Sequence, residues 1–168
     1  MNVSIRPYEP SDLDACRALW RELTQRHRDI YADPTIGGSD SGSEFDAHLA
    51  HPQLAGVWVA GNDTGIVGLC GLLIDGEGGE VEPIVVASTN RSKGIGRQLL
   101  RYIAEEAKRR GVRFLSLRPV ARNIEAISFF YNSGFRLVGH IDLFMELSHP
   151  TQRKWKEGIT IHGNDYKY

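Results

Sequence analysis

Leu13, Cys16, Trp20 and Leu23 recur at intervals of three and four residues. This is the spacing of a single helix face, and it predicts an amphipathic helix that buries one apolar stripe. Ser11 opens that helix, with Asp14 three residues later as an imperfect capping box. Val3 to Arg6 reads as a first strand. From Tyr31 to Gly42 the chain turns to Gly, Ser, Asp and Pro, a loop composition, before a short helix from Glu44 to Ala50. Val57 to Ala60 and Ile66 to Ile74 flank Gly61-Asn62-Asp63-Thr64-Gly65, so a hairpin is expected there. A second turn, Asp75 to Gly79, leads to a strand that begins near Glu80. Helical periodicity returns from Arg97 to Arg110 and stops at Gly111. Val112 to Leu117 is the next strand, Asn123 to Gly134 a further helix, and Arg136 to Leu147 a last long strand. This order implies an α/β (α+β) chain with a central, mostly antiparallel twisted sheet and helices on both faces.

The composition changes this picture little. A chain of 168 residues, 41% hydrophobic and 24% charged, fits one domain with a proper core. A formal net charge of -1 gives no footing for a general nucleic-acid binder. No stretch reads as a signal peptide or membrane span, so a cytoplasmic protein without a membrane partner is expected. Cys16 and Cys70 fall on a helix face and in a strand, and both read as reduced and structural. The six histidines show no zinc spacing, and no metal is expected.

The segment Ile84 to Gly96 carries the most chemistry. A β-branched strand, Ile84-Val85-Val86, is followed by a polar stretch and by Arg91-Ser92-Lys93-Gly94-Ile95-Gly96-Arg97, which runs straight into a helix. The first N–H groups of a helix lack internal partners and sit at the positive end of its dipole, so a glycine-rich entry suits phosphate oxygens. Gly96 is followed by Arg97-Gln98, which excludes a P-loop, and Leu99 stands where a dinucleotide fingerprint needs glycine. What remains is the pattern [R/Q]-x-x-G-x-G after a strand. Downstream, Asn123-Ile124-Glu125-Ala126-Ile127-Ser128-Phe129-Phe130-Tyr131-Asn132-Ser133-Gly134-Phe135 follows N-x-x-A-x-x-F-Y-x-x-x-G-F, with Asn123 as a helix cap and Gly134 as its left-handed end.

On these two motifs the chain resembles the GNAT superfamily of acetyl-CoA-dependent N-acetyltransferases, over roughly Asn2 to Leu147. The resemblance implies a GNAT domain over residues 1–147 and a C-terminal extension over 148–168. It implies that Ile84, Val85 and Val86 pair with the pantetheine arm and that the loop from Arg91 to Arg97 holds the pyrophosphate. Asn123 and Phe130 join the cofactor side. The co-substrate is acetyl-CoA, the acceptor an unidentified amine, and transfer is direct.

An acceptor amine that resembles lysine is mostly protonated at neutral pH and must lose a proton. Glu82 is the candidate base. It stands two residues before the pantetheine-binding segment, and Pro83 beside it suggests an unpaired stretch of strand. Glu80, on the same face, is the reserve. By resemblance, the backbone N–H of Val86 is the oxyanion donor. The family's usual tyrosine falls on Phe130, which has no proton to give. Tyr131, one residue on and about 100° around the helix, is the remaining candidate to protonate the leaving thiolate, the alternatives being water or a tyrosine elsewhere. The missing tyrosine also motivates a second reading, a non-catalytic acyl-CoA-binding sensor or interaction domain. Beyond the motifs, Gly158 to Gly163 alternates like a short strand. The tail is expected either to fray or to dock on the domain or on a second subunit as a homodimer.

Overall fold

The computed structural model describes residues 3–145, 147 and 155–168. By its contacts the chain divides into two units, Met1–Gln25 with Gly37–Arg118, and Arg26–Ile36 with Pro119–Tyr168.

In the first unit β1 (Ser4–Pro7), β2 (Leu54–Asn62), β3 (Gly65–Asp75), β4 (Gly78–Val86) and β5 (Phe114–Ser116) form one sheet in chain order. All pairings are antiparallel except β4 with β5. Successive side chains along a strand point to opposite faces, and the two faces are buried differently. Val57 and Val59 of β2, Leu69 of β3 and Val85 of β4 pack with Cys16 and Leu19 of α1 (Leu13–Tyr31) and with Phe45 of α2 (Glu44–Leu49). On the other face lies α3 (Ile95–Arg109), whose Tyr102 ring is 6.4 Å from that of Trp58. Leu99 Cδ1 lies 3.1 Å from where a Gly68 side chain would begin. The fold class is the expected one, with helices on both faces of this sheet.

The predicted stripe on α1 holds: Leu13, Trp20 and Leu23 are half-buried against the core that contains Cys16, and Leu19 joins them. The start of the helix differs from expectation. Pro10–Asp12 make one 3-10 turn, and the acidic group that caps it is Asp12, not Asp14. The Asp12 carboxylate accepts from the Glu9 N–H at 2.9 Å and from both terminal nitrogens of Arg6 at 2.7 and 2.8 Å. Asp14 stands in solvent. Two acids two residues apart look alike in sequence, and the cation on β1 decides between them.

Both predicted hairpins form. Asp63-Thr64 is the first turn, with Asn62 Oδ1 accepting from the Thr64 N–H at 2.8 Å. The second is Gly76-Glu77, where Gly76 has φ +58°. At the end of α3, Gly111 (φ +81°) and Val112 return N–H bonds to the Lys108 and Ala107 carbonyls, both at 3.0 Å, a complete Schellman termination. β5 is shorter than the predicted Val112 to Leu117.

The second unit contains α4 (Ile124–Asn132) and a hairpin of β6 (Glu157–Ile161) and β7 (Asn164–Lys167). The Asn123 side chain caps α4 by accepting from the Ala126 N–H at 3.1 Å. Gly134 (φ +106°) and Phe135 close its end on the Tyr131 and Phe130 carbonyls. The strand expected over Arg136 to Leu147 is not there among the described residues. The segment is irregular, and Leu137 and Phe144 are 91% and 83% exposed. Its apolar residues suit a pleated strand, but a strand exists only against a neighbour, and no ladder runs beside it. Asn2, Glu146 and Ser148 to Lys154 lie outside the described residues.

The expected short strand at Gly158 to Gly163 is the hairpin's first half, with His162-Gly163 as its two-residue turn at φ +49° and +80°. Lys156 and Tyr168 exchange backbone hydrogen bonds at 2.9 and 2.7 Å, and Arg122 Nε donates to the Tyr168 carbonyl at 2.8 Å. The end of the chain is therefore tied within this unit.

The Arg6 guanidinium holds the Asp12 carboxyl below the usual carboxylate range, helped by the Glu9 N–H. That stabilisation is present above the unfolded value of about 3.9 and is lost as pH falls through the folded one. Asp12→Asn is expected to lower Tm by about 3–8 °C at pH 7 and to flatten the acid limb of stability. Thermal melts of both forms between pH 3 and 7 check this.

Candidate active site

β3 and β4 do not pair evenly. Cys70 faces Ile84 and Leu72 faces Val81, so Gly71 alone stands against Glu82 and Pro83. This bulge gives β4 one extra residue. It also requires glycine on β3, because a Cβ at position 71 would lie 2.1 Å from the Glu82 carbonyl oxygen and 2.7 Å from His48 Nε2. The Glu82 side chain emerges from the bulge into solvent. Glu80 is instead largely covered and holds Arg118 Nη2 at 3.0 Å. Burial raises the Glu80 carboxyl above the usual range, against the pull of Arg118.

Beyond the bulge β4 has an open edge. Its pairing with β5 covers only Gly78 to Glu80, so from Val81 to Val86 one side of β4 meets β3 and the other meets no strand among the described residues. The Ala87 N–H donates to Val67 of β3 at 2.9 Å. Alternation then turns the Val86 N–H and carbonyl to the open side. Arg91 Nε is hydrogen-bonded to that carbonyl at 3.2 Å. Ile84 shares the same sense two residues earlier.

The loop that follows is a 3-10 turn over Ser88–Asn90 and then Arg91 to Gly94. The Ser88 N–H is held by Glu22 Oε2 of α1 at 2.8 Å, and Lys93 Nζ donates to the Thr89 carbonyl at 2.8 Å. Ser92 (φ +61°) and Gly94 (φ +80°) are both left-handed. A left–right alternation of this kind makes successive N–H groups converge into a concave donor surface. Among the described residues, none of the backbone N–H groups from Ser92 to Arg97 donates to another part of the chain. They lie at the N-terminus of α3, where the helix dipole adds positive potential. Ile95 is buried and anchors the turn, while Ser92, Lys93, Gly94 and Arg97 face solvent.

Residues 15–135 match the sequence profile of the acetyltransferase (GNAT) family. The chain belongs to the GNAT family. It is 40% identical over 63 residues to the uncharacterised N-acetyltransferase YobR of Bacillus subtilis, covering 38% of this chain and 25% of that protein. It is 29% identical over 109 residues to YxbD of the same organism, covering 65% of each. The chain thus spans less than two thirds of either relative. Among solved structures, a GNAT-family acetyltransferase from Staphylococcus aureus aligns with TM-score 0.69 at 20% identity, over 90% of this chain and 96% of that one. AAC(6')-Iy, solved with the bisubstrate analogue CoA-S-monomethyl-acetylneamine, aligns with TM-score 0.65 at 17% identity, over 88% and 100%. At these identities the structural likeness speaks for the GNAT fold alone.

The first unit thus gathers Glu80, Glu82, Ile84, Val85, Val86 and the Arg91–Arg97 loop along one strand and its exit. In the second unit Asn123 is occupied as the cap of α4. Phe130 is buried against Phe129 and Phe135, with ring centroids 5.2 and 6.2 Å away. Tyr131 is 54% exposed, and the Arg136 guanidinium lies 5.1 Å from its ring centre. Two residues that touch this strand and loop escaped the sequence reading. Glu22 sits one helical turn from the apolar stripe and shows no motif. His48 follows Phe45 by three residues, a spacing that places both on one face of α2, and this was the available signal.

Gly71→Ala is expected to push β4 away from β3 at the bulge and to lower stability by about 1–3 kcal/mol. Gly94→Ala has open space around it and only the left-handed backbone to oppose it, at a cost of about 1 kcal/mol. Denaturant titration of the two variants side by side checks the order.

Proposed function

We propose that this chain transfers an acetyl group from acetyl-CoA to an amine acceptor by direct attack, with no covalent enzyme intermediate. The observation that carries the reading is the continuity of β4's open edge with a loop of unpaired backbone donors at a helix N-terminus. An extended thioester arm needs an unpaired strand edge, and a pyrophosphate needs converging N–H groups. The two lie end to end here.

In this reading Ile84 and Val86 offer backbone groups to the pantetheine arm, and the loop from Arg91 through Gly96 to Arg97 holds the pyrophosphate. Asn123 and Phe130 belong to the cofactor side, as in the GNAT family. Acetyl-CoA supplies an activated acyl carbon. Glu82 takes the proton from the acceptor ammonium. The free amine attacks the thioester carbonyl, the Val86 N–H donates to the oxygen on which negative charge develops, and the carbon–sulfur bond breaks. The nitrogen gives up its second proton to solvent as the amide forms, and the departing thiolate takes a proton from water or from Tyr131. Glu82 is suited to the base role because its carboxylate is exposed and has no hydrogen bond or ion pair among the described residues, whereas that of Glu80 is committed to Arg118.

Isothermal calorimetry with acetyl-CoA tests the cofactor assignment, and absence of binding at millimolar concentration overturns it. Gly94→Glu puts a carboxylate and a strained backbone at the proposed pyrophosphate site and is expected to weaken binding by about tenfold or more, equivalent to ~1.4 kcal/mol. Arg91→Ala removes one side chain that already serves the Val86 carbonyl, and its effect is smaller.

For the base, thiol release is followed across a panel of simple amines, peptide N-termini and polyamines. Glu82→Gln is expected to lower turnover about 100-fold at neutral pH with acetyl-CoA affinity nearly unchanged, and Glu80→Gln to do less. The second reading, a binding domain without activity, rests on Phe130 at the position of the family's tyrosine. It requires that no acceptor in the panel release coenzyme A above the hydrolysis background.

A further inference from the structure

His48 is 7% exposed, and its Nε2 is buried without a hydrogen-bond partner among the described residues. Such an atom calls for an explanation, because a leucine or methionine would fill the same space with no polar group to strand. The imidazole does not reach its place by accident. α2 is fixed on one side by Phe45, fully buried and 5.6 and 5.9 Å from the rings of Tyr8 and Trp20. On another it is fixed by Asp46, which takes both Nε and Nη2 of Arg17 at 3.2 and 2.6 Å. Trp20 covers the His48 ring at 5.4 Å. Nε2 then points at the missing side chain of Gly71, the same point on which the Glu82 carbonyl oxygen converges. Three elements therefore meet where β4 bulges to present Glu82.

We propose that His48 is a positioning residue for Glu82, an imidazole wedged under the β4 bulge that fixes the direction of the Glu82 carboxylate and is electrically coupled to it. This rests on the reading of Glu82 as the base. The ionisable groups that act on His48 are Glu82 from β4 and His51 from the segment after α2, while α1 presents the uncharged Trp20. Glu80, paired with Arg118, interacts with Glu82 and His51 in turn. Burial disfavours the imidazolium, Glu82 favours it, and His51 opposes it. When Glu82 accepts a proton, the imidazole of His48 loses that attraction.

The test reads the pair directly. The His48 ring is followed by long-range proton–nitrogen spectra against pH in the parent protein, in Glu82→Gln, and in Glu44→Gln, which removes a charge from the exposed face of the same helix. Glu82→Gln is expected to lower the His48 midpoint by roughly 0.5 pH unit or more, and Glu44→Gln to move it far less. Kinetics use whichever amine in the panel above releases thiol fastest. His48→Leu is expected to lower kcat about 5–20-fold with the acetyl-CoA KM within a factor of two and with a displaced acid limb of the pH–rate profile. His48→Asn is expected to recover part of the loss, and it serves as the test protein if the leucine variant does not fold. An unmoved His48 midpoint in Glu82→Gln overturns the proposal, as does a His48 variant with the parent pH–rate profile. Failure of the base assignment is read separately, as undiminished turnover in Glu82→Gln.

Discussion

Gly71 has no side chain because the backbone of β4 and the ring of His48 occupy the place one would take. That exclusion sets the course of the strand through the site. The extra residue on β4 absorbs the mismatch with β3, and from there the strand runs on with one edge paired and one bare. Had β3 and β4 remained in even register, the pleat would have carried Glu82 to the opposite face, and the bare edge would expose a different set of N–H groups. The open edge, the orientation of Val86 and the exposure of Glu82 all depend on this one close approach.

The anchors around the bulge come from different parts of the first unit. Asp12 ties the start of α1 to β1 through Arg6, and α1 ties α2 through Arg17 and the end of β4 through Glu22. A helix that carries three such connections is a frame for the sheet as well as a cover for its core. The carboxylates that do this work are engaged with guanidinium groups or with backbone N–H, whereas that of Glu82 has no such partner among the described residues.

What could be read in the sequence was local. The glycine-rich entry to α3, the asparagine cap of α4 and the glycines that end α3 and α4 at 111 and 134 are all specified within a few residues, and each stands where the chain chemistry puts it. The apolar stripe of α1 is a matter of period and was equally legible. What could not be read depends on distant partners. Asp12 outranks Asp14 because of an arginine on another element, and His48 matters because of a glycine and a carbonyl more than twenty residues away. The segment from Arg136 to Leu147 has the residues of a strand, but a pattern of side chains describes a pleat and does not supply the neighbour that would pair with it. For Glu80 and Glu82 the sequence offered two carboxylates on one face, and Arg118 is what separates them.

The loop between β4 and α3 spends its cations on itself. Arg91 reaches a carbonyl at the end of the strand and Lys93 one in the preceding turn, so the groups left facing outward are backbone amides. A feature made of amides is invisible to the usual survey by alanine substitution, which leaves every N–H in place. Proline is the residue that deletes one, and a map of this loop drawn without it would show a surface of tolerant side chains over a row of main-chain donors it never probed.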